Sequence, residues 1–141
     1  MNVFIVEDTS STRVSLQSLL SSIPDVTLVG READGFQAIA CIDELQPDAV
    51  IFDIGLQPES KFEALENIKK RHSEIRIIVL TNLADELFIN RCRHAGADYF
   101  FDKSFQLTQV RAVFWKWAHT DRLALTDHIY CKPDFLHALE G

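Results

Sequence analysis

Hydrophobic positions along the chain fall into two alternating kinds of segment. Short unbroken runs rich in β-branched and aromatic residues recur at residues 3–6, 26–29, 49–52, 77–80 and 99–101. Continuous rather than alternating hydrophobicity marks strands covered on both faces, as in a parallel sheet, and five such strands are predicted. Between them the apolar residues take helical spacing. Leu16, Leu19, Leu20 and Ile23 follow i, i+3, i+4, i+7 and stop at Pro24, with Ser10 or Ser11 as the cap. A second helix is predicted after Asp34-Gly35, carrying Phe36, Ile39, Ala40 and Ile42 and ending before Pro47. A third covers 62–71 with Leu65 and Ile68 inward, and a fourth buries Ala84, Leu87, Phe88 and Cys92 and stops at Gly96. The fifth sets Leu107, Val110, Phe114 and Trp117 on one stripe.

Strands alternating with helices give a (βα)5 α/β fold, a doubly wound parallel sheet whose right-handed crossovers place helices on both faces. Functional groups in such sheets gather beyond the carboxyl ends of the strands, where strand order reverses. With 141 residues, 47% of them hydrophobic, the chain buries the core of one domain but hardly two. The domain is expected over residues 1–119, followed by a short extension, 120–141, in which Phe135, Leu136 and Leu139 fit a short packed helix. That extension is too short and too acidic to read DNA. The formal charge of −7 argues against direct nucleic-acid binding by the chain as a whole.

No apolar run approaches the ~20 residues that cross a bilayer, and the amino end runs straight into acids, so no membrane partner and a cytoplasmic location are expected. Cys41, Cys92 and Cys131 are odd in number and form no CxxC pair, which disfavours a disulfide framework and a zinc site. Cys41 and Cys92 read as small buried hydrophobes in helices. His72, His94, His119, His128 and His137 share no metal spacing and read as surface or tail residues.

Chemistry concentrates at the predicted strand ends. Glu7 and Asp8 close the first strand and Asp53 the third; if those strands are neighbours, three carboxylates converge and need a cation. An all-oxygen set points to a hard divalent ion, Mg2+ rather than zinc. Thr81 closes the fourth strand and Lys103 follows the fifth, a hydroxyl and an ammonium suited to phosphoryl oxygens.

With Glu7-Asp8, Asp53, Thr81 and Lys103 each after its strand, residues 2–119 resemble the receiver domain of two-component response regulators, which is CheY-like with strand order 2-1-3-4-5. The resemblance implies a phosphorelay switch in which Asp53 takes a phosphoryl group from a phosphohistidine on a sensor histidine kinase or phosphotransfer domain. It implies that Asp8, Asp53 and the Gly55 carbonyl ligate Mg2+ directly, that Glu7 acts through a metal-bound water, and that Lys103 and Thr81 contact the phosphoryl group. In the family's switch the hydroxyl moves inward while an aromatic three residues before the lysine, here Phe100, changes rotamer. That change alters the face made by the fourth helix, fifth strand and fifth helix, through which a downstream target, an output domain or a second copy would be reached.

Phe100 has no hydroxyl for a latch and is equally well explained as core, while Tyr99 should point to the other side of the strand. Asn82 is larger than the small residue common after the hydroxyl, which narrows access. Ser104 stands where a cis proline is frequent, which bears on the loop that places Lys103. The loop after Asp53 lacks the common Met-Pro and has Lys61 where a glycine is frequent, which predicts an altered loop rather than a lost site. Gly55 and Leu83 hold the two positions that influence acyl-phosphate hydrolysis. Neither orients a water, so self-dephosphorylation should be slow. The competing reading is a constitutive, non-phosphorylated interaction module; a hydrolase is weaker, because Asp53-Ile54-Gly55 lacks a second carboxylate.

Overall fold

The computed structural model describes residues 1–7, 10–54, 58–82, 86–102 and 107–119, and within them the side chains of all but 10–14, 58–60 and 107. Five strands alternate with five helices: β1 Asn2–Val6, α1 Ser10–Ser21, β2 Thr27–Glu32, α2 Gly35–Leu45, β3 Ala49–Asp53, α3 Pro58–Arg71, β4 Arg76–Thr81, α4 Glu86–Ala95, β5 Tyr99–Asp102 and α5 Leu107–His119. The strands form one parallel sheet in the order β2-β1-β3-β4-β5, the expected arrangement. β3 is buried along its whole length, and β1 and β4 are buried beyond their first residue. This is why these segments read as unbroken apolar runs. Among the described residues no helix is long and apolar enough to cross a membrane.

β2 departs from expectation. It runs to Glu32 rather than stopping at Val29, because an edge strand needs only one paired side and continues through the polar Gly30-Arg31-Glu32. Gly30 is required there: a Cβ would lie 2.9 Å from Phe4 Cε2, a ring in the core.

The helices begin and end where local chemistry dictates. Asp34 caps α2 by accepting from Phe36 N at 2.7 Å and Gln37 N at 3.3 Å, and Gln46 closes the helix in the left-handed region ahead of Pro47. α4 stops at Gly96, whose φ of 110° brings its amide to Arg93 O and the Ala97 amide to Cys92 O. The cap expected from Ser10 or Ser11 falls on side chains outside the described ones. α3 starts at Pro58, one turn before the predicted start, since proline suits the first helical position even where no apolar residue signals it.

Three inward assignments, on two helices, are corrected. Leu87 is 83% exposed, because α4 turns Phe88, Cys92 and Ala95 to the core and position 87 falls beside that stripe. Phe36 is 57% exposed and Ala40 is exposed, because Gly35, Ala38 and Ile42 define the buried side of α2. On α5 the predicted stripe holds at Val110, Phe114 and Trp117. Trp115 is the outward indole, and it is flanked by Arg111 and lies tilted against His119 with ring centroids 4.2 Å apart. Arg111 also donates to Ser22 Oγ, which places this side of α5 toward the end of α1.

At the amino edge of the sheet the charges are satisfied by the chain itself. Lys69 Nζ bridges Asp98 at 3.1 Å and the Ile75 carbonyl at 2.7 Å, and Asp98 also accepts from Ile77 N. Between α2 and α3, Asp43 accepts from Arg71 and meets His72 Nε2 at 2.7 Å, so His72 is an interhelical partner rather than the surface residue expected. The hydrogen bond to His72, then that to Arg71, holds the Asp43 carboxyl below its ordinary value, against the opposing effect of burial.

A depressed folded-state pKa stabilises in full above the unfolded carboxylate value of about 4 and is lost as pH falls through the folded value. Asp43→Asn should therefore cost about 1 kcal/mol in urea unfolding at pH 7, a partly exposed pair being worth no more. The gap to the wild-type chain should close below about pH 4; a gap that persists unchanged there would contradict the assignment.

Candidate functional site

The register of the parallel ladders decides which side chains meet at the carboxyl edge. Val6 pairs with Phe52, so Glu7, the next residue, lies level with Asp53 on the neighbouring strand. Asp53 pairs with Leu80, so Thr81 lies one step beyond it, and Thr81 in turn pairs with Asp102. Asp53, Thr81 and Asp102 close β3, β4 and β5, Glu7 directly follows β1, and each of the four carries side-chain oxygen. Backbone bonds hold the edge in place: Glu7 N donates to Glu32 O at 3.0 Å and Ile54 N to Leu80 O at 2.9 Å.

Three of these groups are removed from water. Glu7 is 2% exposed, while Asp53 and Thr81 are both 0% exposed. Acids are almost never buried to this degree without partners, because an ion taken out of water loses several kcal/mol of solvation. One partner is Arg31 on β2, whose Nη1 lies 3.7 Å from Glu7 Oε1. With the Arg31 side chain 45% exposed, this long contact is a solvent-side neutralisation rather than a tight bond. Arg31 has no sequence pattern that would single it out; only strand pairing brings it to Glu7.

A second cation was visible in the sequence but not recognised as part of the interior. Lys61 is 4% exposed, in the first turns of α3, whose inward positions Ala64, Leu65 and Ile68 are also buried. The i, i+3, i+4, i+7 spacing from Lys61 is the signal that would have found it.

Phe100 is 4% exposed and meets Phe88 of α4 edge-on at 5.8 Å, with Phe88 in turn against Phe62 of α3 at 5.3 Å. Tyr99 packs on Trp117 of α5 at 5.5 Å, on the other side of the strand as alternation requires. Asn82 is exposed just beyond β4. Asp8, Gly55, Leu83, Lys103, Ser104 and the extension 120–141 lie outside the described residues, so the expectations placed on them, including the ammonium contact and the metal carbonyl, have no geometry here.

Among the described residues no group of three or more His, Cys, Asp or Glu side chains gathers. Glu7 and Asp53 form a pair, to which Asp8 and the Gly55 carbonyl would have to be added. The donor chemistry is consistent: carboxylates and a hydroxyl, with no His or Cys closing any of these strands, suit Mg2+ and not zinc. Among the described residues the thiols, Cys41 and Cys92, lie in α2 and α4. Cys92 is fully buried in α4, and burial pushes its pKa up to about 12.

The chain matches the response regulator receiver domain family over residues 3–114. It is 32% identical over 104 residues to the response regulator protein VraR of Staphylococcus aureus, an alignment covering 74% of this chain and 50% of that protein. The chain therefore spans about half the length of the curated relatives it matches. Among solved structures it is similar to the response regulator domain of Thermotoga maritima CheB, with a TM-score of 0.70, 28% identity and coverage of 84% of this chain and 92% of that one. A CheY from Borrelia burgdorferi, solved in complex with CheX, BeF3- and Mg2+, superposes with a TM-score of 0.68 and 27% identity over 81% of this chain and 89% of that one.

A thiol with so high a pKa and no access to solvent is inert. Iodoacetamide at pH 8 should leave Cys92 unlabelled in the folded protein and alkylate it in urea, as read by peptide mass mapping. Rapid native labelling of Cys92 would show that α4 is not packed as described.

Proposed function

The chain belongs to the response regulator receiver domain family of two-component systems, and from that premise we propose that it is a phosphoacceptor switch with Asp53 as its nucleophile. The observation that carries this reading is the burial of Glu7, Asp53 and Thr81 at adjacent strand ends of the sheet. A carboxylate sequestered there, beside a second carboxylate and a hydroxyl, is placed to attack rather than to solvate the surface.

In the proposed step an Asp53 carboxylate oxygen attacks the phosphorus of a phosphohistidine. The new O–P bond forms as the N–P bond breaks, and the imidazole nitrogen of the donor keeps the electron pair. Mg2+ held by Asp8, Asp53 and the Gly55 carbonyl, with Glu7 acting through water, would neutralise the charge that collects on the phosphoryl oxygens. Thr81 and Lys103 supply a hydroxyl and an ammonium to those oxygens. Arg31 moderates the charge of Glu7 from the solvent side. Asn82, exposed at the rim, narrows the approach of the donor.

The output is read through the face made by α4, β5 and α5. An inward movement of Thr81 frees space beside Phe100 on the neighbouring strand, and the edge-on contacts from Phe100 to Phe88 and from Phe88 to Phe62 connect that space to α4 and α3. Leu87, 83% exposed beside Phe88, is the apolar group such a repacking would present to a partner. That partner is a protein: a downstream target, an output domain in a longer regulator or a second copy docked through α4 and α5. The donor is a sensor histidine kinase or a histidine phosphotransfer domain, which places the site in the cytoplasm.

Incubation with Mg2+ and acetyl phosphate should add one phosphoryl group, stable in acid and lost in base, detected by intact mass; Asp53→Asn should take up none. Failure of the wild-type chain to be labelled, by acetyl phosphate or by any histidine donor, would leave the constitutive interaction module as the better reading. The adduct, freed of donor, should persist for minutes rather than seconds, since neither Gly55 nor Leu83 presents a polar group to a hydrolytic water. Loss within seconds would overturn that part of the proposal.

A further inference from the structure

Lys61 is the one cationic residue among the buried polar and charged groups described, which are Glu7, Asp53, Lys61, Thr81 and Asp98. Asp98 belongs to the amino edge, where Lys69 neutralises it. Lys61 belongs to the opposite edge, because α3, which begins at Pro58, is the next element after the carboxyl end of β3 at Asp53. It lies on the inward stripe with Ala64, Leu65 and Ile68, so its stem enters the space between α3 and the sheet. Side chains on a helix lean toward the helix amino end, which directs the Lys61 ammonium toward the carboxyl edge where Glu7 and Asp53 stand.

The energetics demand an anion there. A lysine 4% exposed has lost most of its hydration, a cost of several kcal/mol unless charge compensates it. Its position aggravates that cost, since the first turns of a helix carry positive partial charge and disfavour a cation. At the carboxyl edge the buried groups of opposite sign among the described residues are Glu7 and Asp53. Each side of this balance explains the other: two buried carboxylates that repel one another, and one buried ammonium that needs them.

We propose that Lys61 is a built-in counter-cation of the Glu7–Asp53 pocket, which keeps the pocket closed in the absence of metal and competes with the divalent ion for the same carboxylates. Lys61 is therefore a positioning residue that sets how much Mg2+ is needed before Asp53 is primed. The inference rests on the reading of this edge as a divalent-cation site, but it does not require phosphoryl transfer.

Mg2+ is titrated calorimetrically into the wild-type chain and into Lys61→Met, which keeps the length of the side chain and removes its charge, with near-ultraviolet circular dichroism as the check on folding. Lys61→Met should bind Mg2+ at least about fivefold more tightly. In metal-free buffer it should melt below the wild-type chain, and saturating Mg2+ should abolish that difference. Lys61→Gln makes the same comparison should the Met variant fail to fold. Equal or weaker Mg2+ binding by the neutral variants overturns the proposal, as does the absence of Mg2+ binding by every chain. Acetyl phosphate labelling is read separately: tighter metal binding by the neutral variants with no labelling of the wild-type chain would sink the phosphoacceptor reading and leave the role of Lys61 intact.

Discussion

The structure turns on carboxylates withdrawn from water at one edge of a parallel sheet. Asp53 is fully buried and Glu7 nearly so, and the pairing of Val6 with Phe52 puts them level on adjacent strands. Two anions so placed raise the energy of the folded chain unless positive charge reaches them. The surroundings answer that demand from more than one direction, with Arg31 on the solvent side and Lys61 on the buried stripe of α3. Carboxylates arranged in this way are under electrostatic tension by construction, and any cation that reaches them relieves it.

The opposite edge shows what the chain does with charge when no chemistry is at stake. Asp98 is closed off by Lys69 and a backbone amide, and Asp48 by the amide of Asn2. Asp43 ties α2 to the end of α3 through Arg71 and His72. These partners come from neighbouring elements and complete the bonding locally.

β5 links the site to the surface because its two aromatic rows serve opposite faces. Tyr99 joins Trp117, and Trp117 packs on Phe114, a wall of rings toward α5. Phe100 meets Phe88 of the half-buried row on α4, beside the exposed Leu87. Thr81 lies on the neighbouring strand, level with Asp102 and two residues beyond the level of Phe100.

Much of this molecule was readable in one dimension, for a physical reason. Strands buried on both faces must be apolar without interruption, caps such as Asp34 and stops such as Gly96 act through bonds to their own neighbours, and a strand end is a position in sequence; so the five-by-five alternation and the identity of Glu7, Asp53 and Thr81 as strand-end groups were available from the chain alone. What depended on the third dimension was everything set by which element lies beside which. The polar continuation of β2, the exposure of Leu87 and Phe36 and the pairing of Arg31 with Glu7 have no local cause, and the burial of Lys61 shows in the sequence only as helical spacing with Ala64, Leu65 and Ile68. Each arises because solvation is decided by neighbours remote in sequence, and a charged or apolar side chain carries no mark of the neighbours it will meet until the sheet and its helices have closed around it.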